Sequence, residues 1–98
     1  MPFELPLPTR VKRQGWKVKV QDKERVEEPH VTIIFKTQRW RFRLRTLDFY
    51  DMWPDPKDVP HDVLDAILQG HVNLCREWDR RYPLNPVAGF KSEGGKDE

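Results

Sequence analysis

Cationic and apolar residues alternate strictly along residues 39–45, which is the most regular pattern in the chain. Arginine occupies every second position, and the residues between are Trp40, Phe42 and Leu44. Because a β-strand turns successive side chains to opposite faces, this segment predicts a strand with one cationic and one apolar face. At helical spacing the same residues would form no apolar stripe.

Two further segments have strand patterns. Residues 31–35 are rich in β-branched and aromatic side chains, and residues 16–20 alternate apolar residues with lysine. Both patterns are typical of strands. The sequence therefore predicts three strands, of which the arginine segment is the third.

The last two predicted strands can pair as an antiparallel hairpin across a two-residue loop at Thr37 and Gln38. In this register each apolar residue on one face meets another apolar residue, and His30 opposes Arg45 on the other face. A shift by one residue would mix the two faces. The hairpin thus predicts a basic surface backed by an apolar one.

A single amphipathic helix is predicted from about residue 60 to residue 82. Its apolar stripe follows three- and four-residue spacing and consists of Leu64, Ile67, Leu68, His71, Leu74, Cys75 and Trp78. The expected architecture is an α+β fold, in which a small antiparallel three-stranded sheet packs on one long C-terminal helix. Residues 1–15 are expected to be an extended Pro-rich arm, 16–82 the domain, and 83–98 an irregular tail with a disordered end.

Charge is divided unevenly between the two halves of the chain. Residues 1–50 contain 12 Lys/Arg and 6 Asp/Glu, a balance of +6, whereas residues 51–98 contain 6 and 10, a balance of −4. The basic half indicates an anionic partner, although the acidic half could fold back and neutralise it. With 37% hydrophobic residues in 98, the core must be thin, so a homodimer or hetero-complex is possible.

Candidate chemistry is limited. The single Cys75 and the lack of a long apolar run indicate a reducing cytoplasm and no membrane span. His71 and Cys75 are four residues apart, but both lie on the apolar stripe, which favours packing over zinc binding. No Gly-rich phosphate loop is present, so we expect no cofactor and no metal.

The predicted basic face is the best candidate binding site. Same-face neighbours on a strand are about 6.6–6.8 Å apart, which allows several cations to contact one run of phosphates. Tyr50 and Trp53, in the aromatic connector that follows at residues 48–57, could stack bases, anchor a protein or close the core. The face comprises Lys17, Lys19, His30, Lys36, Arg39, Arg41, Arg43 and Arg45.

Three functions are compatible with such a face. The leading hypothesis is a non-enzymatic module of a prokaryotic or phage system that binds RNA or DNA without sequence preference. An alternative is a protein-interaction subunit that binds an acidic protein. A third is a metal-independent ribonuclease toxin, in which a general base such as His30 or Glu28 takes the ribose 2′-hydroxyl proton while Arg43 and Arg45 stabilise the phosphorane. A solvated face crossed by local ion pairs is the non-functional alternative.

The chain also resembles a family of short bacterial domains of unknown function. The resemblance covers about residues 16–82 and depends on a Glu-Pro-His-Val strand start at residues 28–31, a basic-aromatic second strand, and a closing helix containing Glu77 and Trp78. Thr32 stands where the family often has a second histidine. Because members are often encoded beside an antitoxin-like gene, the resemblance implies a toxin–antitoxin component.

Overall fold

Four strands form one antiparallel sheet in the computed structural model, which describes residues 3–21 and 28–87. They are β1 (Phe3–Glu4), β2 (Lys17–Val20), β3 (His30–Phe35) and β4 (Gln38–Arg43), and they neighbour each other in chain order. The helices are α1 (Thr9–Gln14), α2 (His61–Gln69) and α3 (His71–Arg81), and a 3-10 turn covers Pro56–Asp58. The α+β class and the antiparallel sheet are confirmed, with one more strand than predicted.

The hairpin between β3 and β4 has a different register from the one predicted. Its turn is formed by Lys36 and Thr37, with Lys36 at a φ of 56°. His30 therefore opposes Arg43, not Arg45, which makes the predicted pairing wrong by two residues. Because side chains alternate with a period of two, this shift keeps the apolar and basic residues on their predicted faces.

One hydrophobic core joins the apolar face of the sheet to α2 and α3. The sheet contributes Ile33 and Trp40, and the helices contribute Ile67, Leu74 and Trp78, all fully buried. Trp16 also stacks on Trp40, with ring centroids 5.6 Å apart. The alternating strand residues and the helical stripe thus meet as their spacing predicted, except that Leu68, predicted within the stripe, is 49% exposed.

The N-terminal segment is not only the extended arm that was predicted. Thr9–Gln14 is helical, and Leu5 and Val11 are buried in the core. Gly15 ends α1 at a φ of 104°, where its N–H donates to the Lys12 carbonyl. A left-handed residue here lets the chain reverse from α1 into β2.

The predicted long C-terminal helix is two helices, separated at Gly70. Gly70 has a φ of −93° and a ψ of 12°, which interrupts the helical path. A Cβ atom at this position would lie 2.8 Å from Cδ1 of Leu5 and 3.2 Å from the Ala66 carbonyl oxygen. The glycine therefore allows close approach of the N-terminal segment, a contact that the helix pattern could not reveal.

The C-terminal tail is held to α3 as far as residue 87. The Trp78 indole donates to the Asn85 carbonyl at 2.8 Å, and the Val87 N–H donates to the Asp79 carboxylate at 2.7 Å. Residues 22–27 and the predicted disordered end lie outside the described residues. No helix within residues 3–21 and 28–87 is long and apolar enough to cross a membrane.

Candidate nucleic-acid interface

Residues 48–51 cover the outer edge of β4. Phe49 forms an antiparallel bridge with Phe42, the Arg43 N–H donates to the Asp48 carbonyl at 2.7 Å, and the Tyr50 N–H donates to the Arg41 carbonyl at 2.7 Å. The two phenylalanine rings meet edge to face, with centroids 5.1 Å apart. This segment satisfies backbone groups that an edge strand would otherwise expose, and it brings two carboxylates to the arginine face.

Arg41 is bound by Asp51. The Asp51 carboxylate accepts hydrogen bonds from Nε, Nη2 and the backbone N–H of Arg41 at 3.0, 2.7 and 3.0 Å. The Arg41 side-chain hydrogen bonds are the main cause of a lowered pKa at Asp51. The guanidinium also lies over the Tyr50 ring, 4.2 Å from its centroid. Both partners are partly buried, so this cation is occupied within the protein.

Arg43 also has internal partners. It lies 3.1 Å from the Asp48 carboxylate and 3.3 Å from that of Glu28, with the Tyr50 ring 4.9 Å away. The pKa of Asp48 is lowered, chiefly by a hydrogen bond from the Thr46 hydroxyl and further by Arg43. The connector residues Asp51 and Asp48 therefore neutralise Arg41 and Arg43, which lie at the centre of the predicted basic face.

Arg45 is held by backbone carbonyls of the C-terminal tail. Its Nη2 donates to Pro86 at 3.1 Å and its Nε to Val87 at 3.3 Å. Lys19 is partly buried in a cross-strand row with Glu4 and Thr32. These two members of the predicted face are thus less accessible than the strand pattern suggested.

The exposed cations of the strands and their turn lie at one end of the sheet, where β2 begins and the β3–β4 turn lies. Lys17, Ile34 and Arg39 are aligned across the three strands, so Lys17 and Arg39 are two strand spacings apart, about 10 Å. Within residues 3–21 and 28–87, the cations at this end have no ion-pair partner. We define the basic end as Lys12, Arg13, Lys17, Lys36 and Arg39, all of which are exposed.

Two members of the basic end, Lys12 and Arg13, were missed from the sequence. They occupy the last turn of α1, directly before the reversal at Gly15. Residues 1–15 had been interpreted as an extended arm, so their side chains could not be assigned to the same end as Lys17. The basic run just before Gly15 was the signal that could have located them.

Met52 and Trp53 protrude into solvent from the segment that follows Asp51. Their exposed fractions are 76% and 84%, the highest among the large aromatic and sulfur-containing side chains described. The flanking residues are fixed, because Asp51 is bound to Arg41 and the Trp40 indole donates to the carbonyls of Pro54 and Asp55 at 3.0 and 3.2 Å. The peptide bond after Trp53 is cis. The residues on both sides of this exposed apolar pair are therefore held in place by contacts with β4.

His30 is buried, although it was predicted at the edge of the binding face. It is 1% exposed, its Nδ1 lies 2.8 Å from the Glu28 carbonyl oxygen, and its ring centroid is 5.3 Å from that of Trp78. Arg43 is its cross-strand neighbour, whereas Arg45 is directed to the tail. The imidazole is therefore almost entirely shielded from solvent in this arrangement, and the ribonuclease hypothesis stays a prediction.

His71 and Cys75 have packing roles in the described part of the protein. Nε2 of His71 lies 2.8 Å from the Leu44 carbonyl oxygen and 3.3 Å from Sγ of Cys75. Burial raises the pKa of the Cys75 thiol. Among the described residues, no three His, Cys, Asp or Glu side chains are grouped closely enough to hold a metal ion.

No protein-family model, curated protein or solved structure matches this chain. The family resemblance seen in the sequence, and the toxin–antitoxin role that it implies, therefore stay predictions.

Proposed function

We propose that this protein is a small nucleic-acid-binding module that contacts phosphates through the basic end. The observation that carries the proposal is the contrast between the two sets of cations. Arg41, Arg43 and Arg45 have partners within the protein. The five cations of the basic end are exposed, and none pairs with a carboxylate within residues 3–21 and 28–87. An anion outside the protein is the partner that such cations can still bind.

The physical basis is counterion release. Each phosphate neutralised by a lysine or arginine contributes a slope of about −0.9 to the salt dependence of duplex binding and about −0.7 for a single strand. If all five cations contacted phosphates, the single-strand slope would be about −3.5. Binding is therefore expected to be weak at physiological salt and insensitive to base sequence.

Fluorescence anisotropy with labelled 20-nucleotide probes at two salt concentrations tests the proposal. The variant is Arg13→Ala/Arg39→Ala, which removes two arginines from the basic end. Its matched control is Arg76→Ala/Arg80→Ala, which removes two exposed arginines from α3. Tyr82, the residue directly after α3, donates its phenol hydrogen to the carbonyl of Gln21, which follows β2. The end of α3 therefore lies at the opposite end of β2 from the basic end.

We expect the basic-end variant to reduce the single-strand salt slope by about 1.4, which corresponds to two phosphate contacts, and the control to leave it unchanged. An equal reduction of the salt slope in the two variants would contradict the proposal, because binding would then depend on net charge and not on the basic end. No binding of any probe at low salt would contradict the proposal.

A second candidate function is protein docking through Met52 and Trp53. The high exposure of this pair favours it, because Trp, Met and Arg are enriched in protein interfaces. The cations of the basic end would suit an acidic partner. Poly-L-glutamate serves as the acidic probe in the experiment below.

A further inference from the structure

We propose that the basic end prefers single-stranded nucleic acid to duplex, and that Trp53 is the surface on which a base stacks. This inference deepens the proposed function and rests on it. It names the class of ligand and adds an aromatic contact to the phosphate contacts.

Trp53 differs from the other tryptophans of the protein in its accessibility. Trp16, Trp40 and Trp78 are all buried in the core, whereas Trp53 is largely exposed. Its position is fixed on both sides by the contacts of Asp51 and Pro54. Because the flanking residues are already held in place, little backbone freedom is lost when a base covers the indole.

The segment that carries Trp53 is held against β4, the strand that carries Arg39. Phe49 is paired with Phe42, and Tyr50 bonds to Arg41, so this segment runs antiparallel along β4. Beyond Asp51 the chain bends at Trp53 and Pro54, and the Pro54 carbonyl accepts a hydrogen bond from the indole of Trp40, the residue next to Arg39 in β4. A single-stranded nucleic acid whose phosphates contact Arg39 can therefore direct a base toward Trp53.

Stacking separates single strands from duplexes on physical grounds. A single strand offers the faces of its bases, and one base–aromatic stack changes affinity by about five- to 150-fold. In a duplex those faces are covered by neighbouring base pairs, so phosphates, sugars and base edges remain accessible but no base face is free to stack on the indole. The geometry of one exposed indole beside several cations thus favours unpaired bases.

The experiment compares the full chain, Trp53→Ala and Trp53→Phe on four probes at one low salt concentration. The probes are labelled 20-nucleotide oligouridylate, oligothymidylate, a 20-base-pair duplex and poly-L-glutamate. Leu84→Ala is the matched control, because Leu84 is a large apolar residue that is 99% exposed outside the connector. Circular dichroism checks that each variant is folded.

We expect Trp53→Ala to weaken binding of both single strands at least fivefold and to change duplex binding less than twofold. Trp53→Phe should keep most of the affinity, and Leu84→Ala all of it. Single strands should also quench tryptophan emission in the full chain, and much less in Trp53→Ala.

The outcomes separate the two proposals. Binding of all nucleic acids with no effect of Trp53→Ala overturns the stacking inference and leaves phosphate binding intact. Failure to bind any nucleic acid overturns both. Binding of poly-L-glutamate as tight as that of oligouridylate, and equally weakened by Trp53→Ala, overturns the stacking inference in favour of an acidic protein partner.

Discussion

Replacement of Asp51 by asparagine tests how strongly the connector is tied to the arginine face. The Asp51 carboxylate accepts three hydrogen bonds from Arg41, two from the guanidinium and one from the backbone. Asparagine keeps one acceptor oxygen but replaces the other with an N–H donor that faces a cation. The variant therefore loses the ionic attraction and one arm of the guanidinium contact.

The expected cost is about 2 kcal/mol in the free energy of unfolding. Hydrogen bonds to charged groups contribute about 1.5–3 kcal/mol, and the partial exposure of both Asp51 and Arg41 places this contact toward the lower part of that range. For a domain of this size, such a loss lowers Tm by about 8–16 °C. Urea unfolding followed by circular dichroism measures the change, with Asp65→Asn, an exposed residue on α2, as the matched control.

The effect should also depend on pH. Arg41 holds the pKa of Asp51 below its usual range, so the carboxylate ionises more readily in the folded protein than in the unfolded chain. Its stabilisation is therefore present above the unfolded pKa of about 3.9 and is lost as the pH falls through the lower folded value. The difference between wild type and Asp51→Asn should be constant from about pH 5 to 7 and shrink below about pH 4. A loss below 0.5 kcal/mol at pH 7, or one equal to that of Asp65→Asn, would refute the reasoning.

Two further substitutions test local features of the fold. Gly15→Ala should destabilise the protein by about 1–2 kcal/mol, because its φ of 104° disfavours a Cβ atom although the space around it is open; Gly15→Asn should recover part of this loss. Trp40→Phe should cost about 1–2 kcal/mol more than Trp16→Phe in urea unfolding, because only Trp40 donates to the Pro54 and Asp55 carbonyls. Equal costs for the two tryptophans would indicate that the indole donation contributes nothing.

Much of the sheet was encoded locally in the chain. The alternation of arginine with Trp40, Phe42 and the following leucine determined which face of β4 is buried, because a strand has a side-chain period of two. That same periodicity made the two-residue error in register harmless for the faces, although it changed the partner of His30. The turn itself was not predictable, since neither Lys36 nor Thr37 is a residue that tight turns favour.

The state of the arginines was decided by contacts far apart in sequence. Asp51 and Asp48 reach Arg41 and Arg43 because residues 48–51 turn back along the edge of β4. The division of charge between the halves of the chain allowed such neutralisation, but it did not identify the pairs. Ion pairing depends on distances of a few ångströms, which only the folded path of the connector sets.

The helical region shows the same division between local and tertiary causes. Apolar spacing located Ile67, Leu74 and Trp78 on the buried side, and it did so across the break between the two helices. The break at Gly70 coincides with the close approach of Leu5, which is 65 positions away in the chain.

The sequence by itself therefore determined the α+β class, the strand faces and the buried helix stripe, because these follow from side-chain periodicity within one segment. Only the tertiary structure decided which cations remain open to a partner. Arg39 stays exposed while Arg41 and Arg43 are covered. Neighbours two residues apart on one strand differ because the connector covers part of that strand, and no local pattern encodes where it ends.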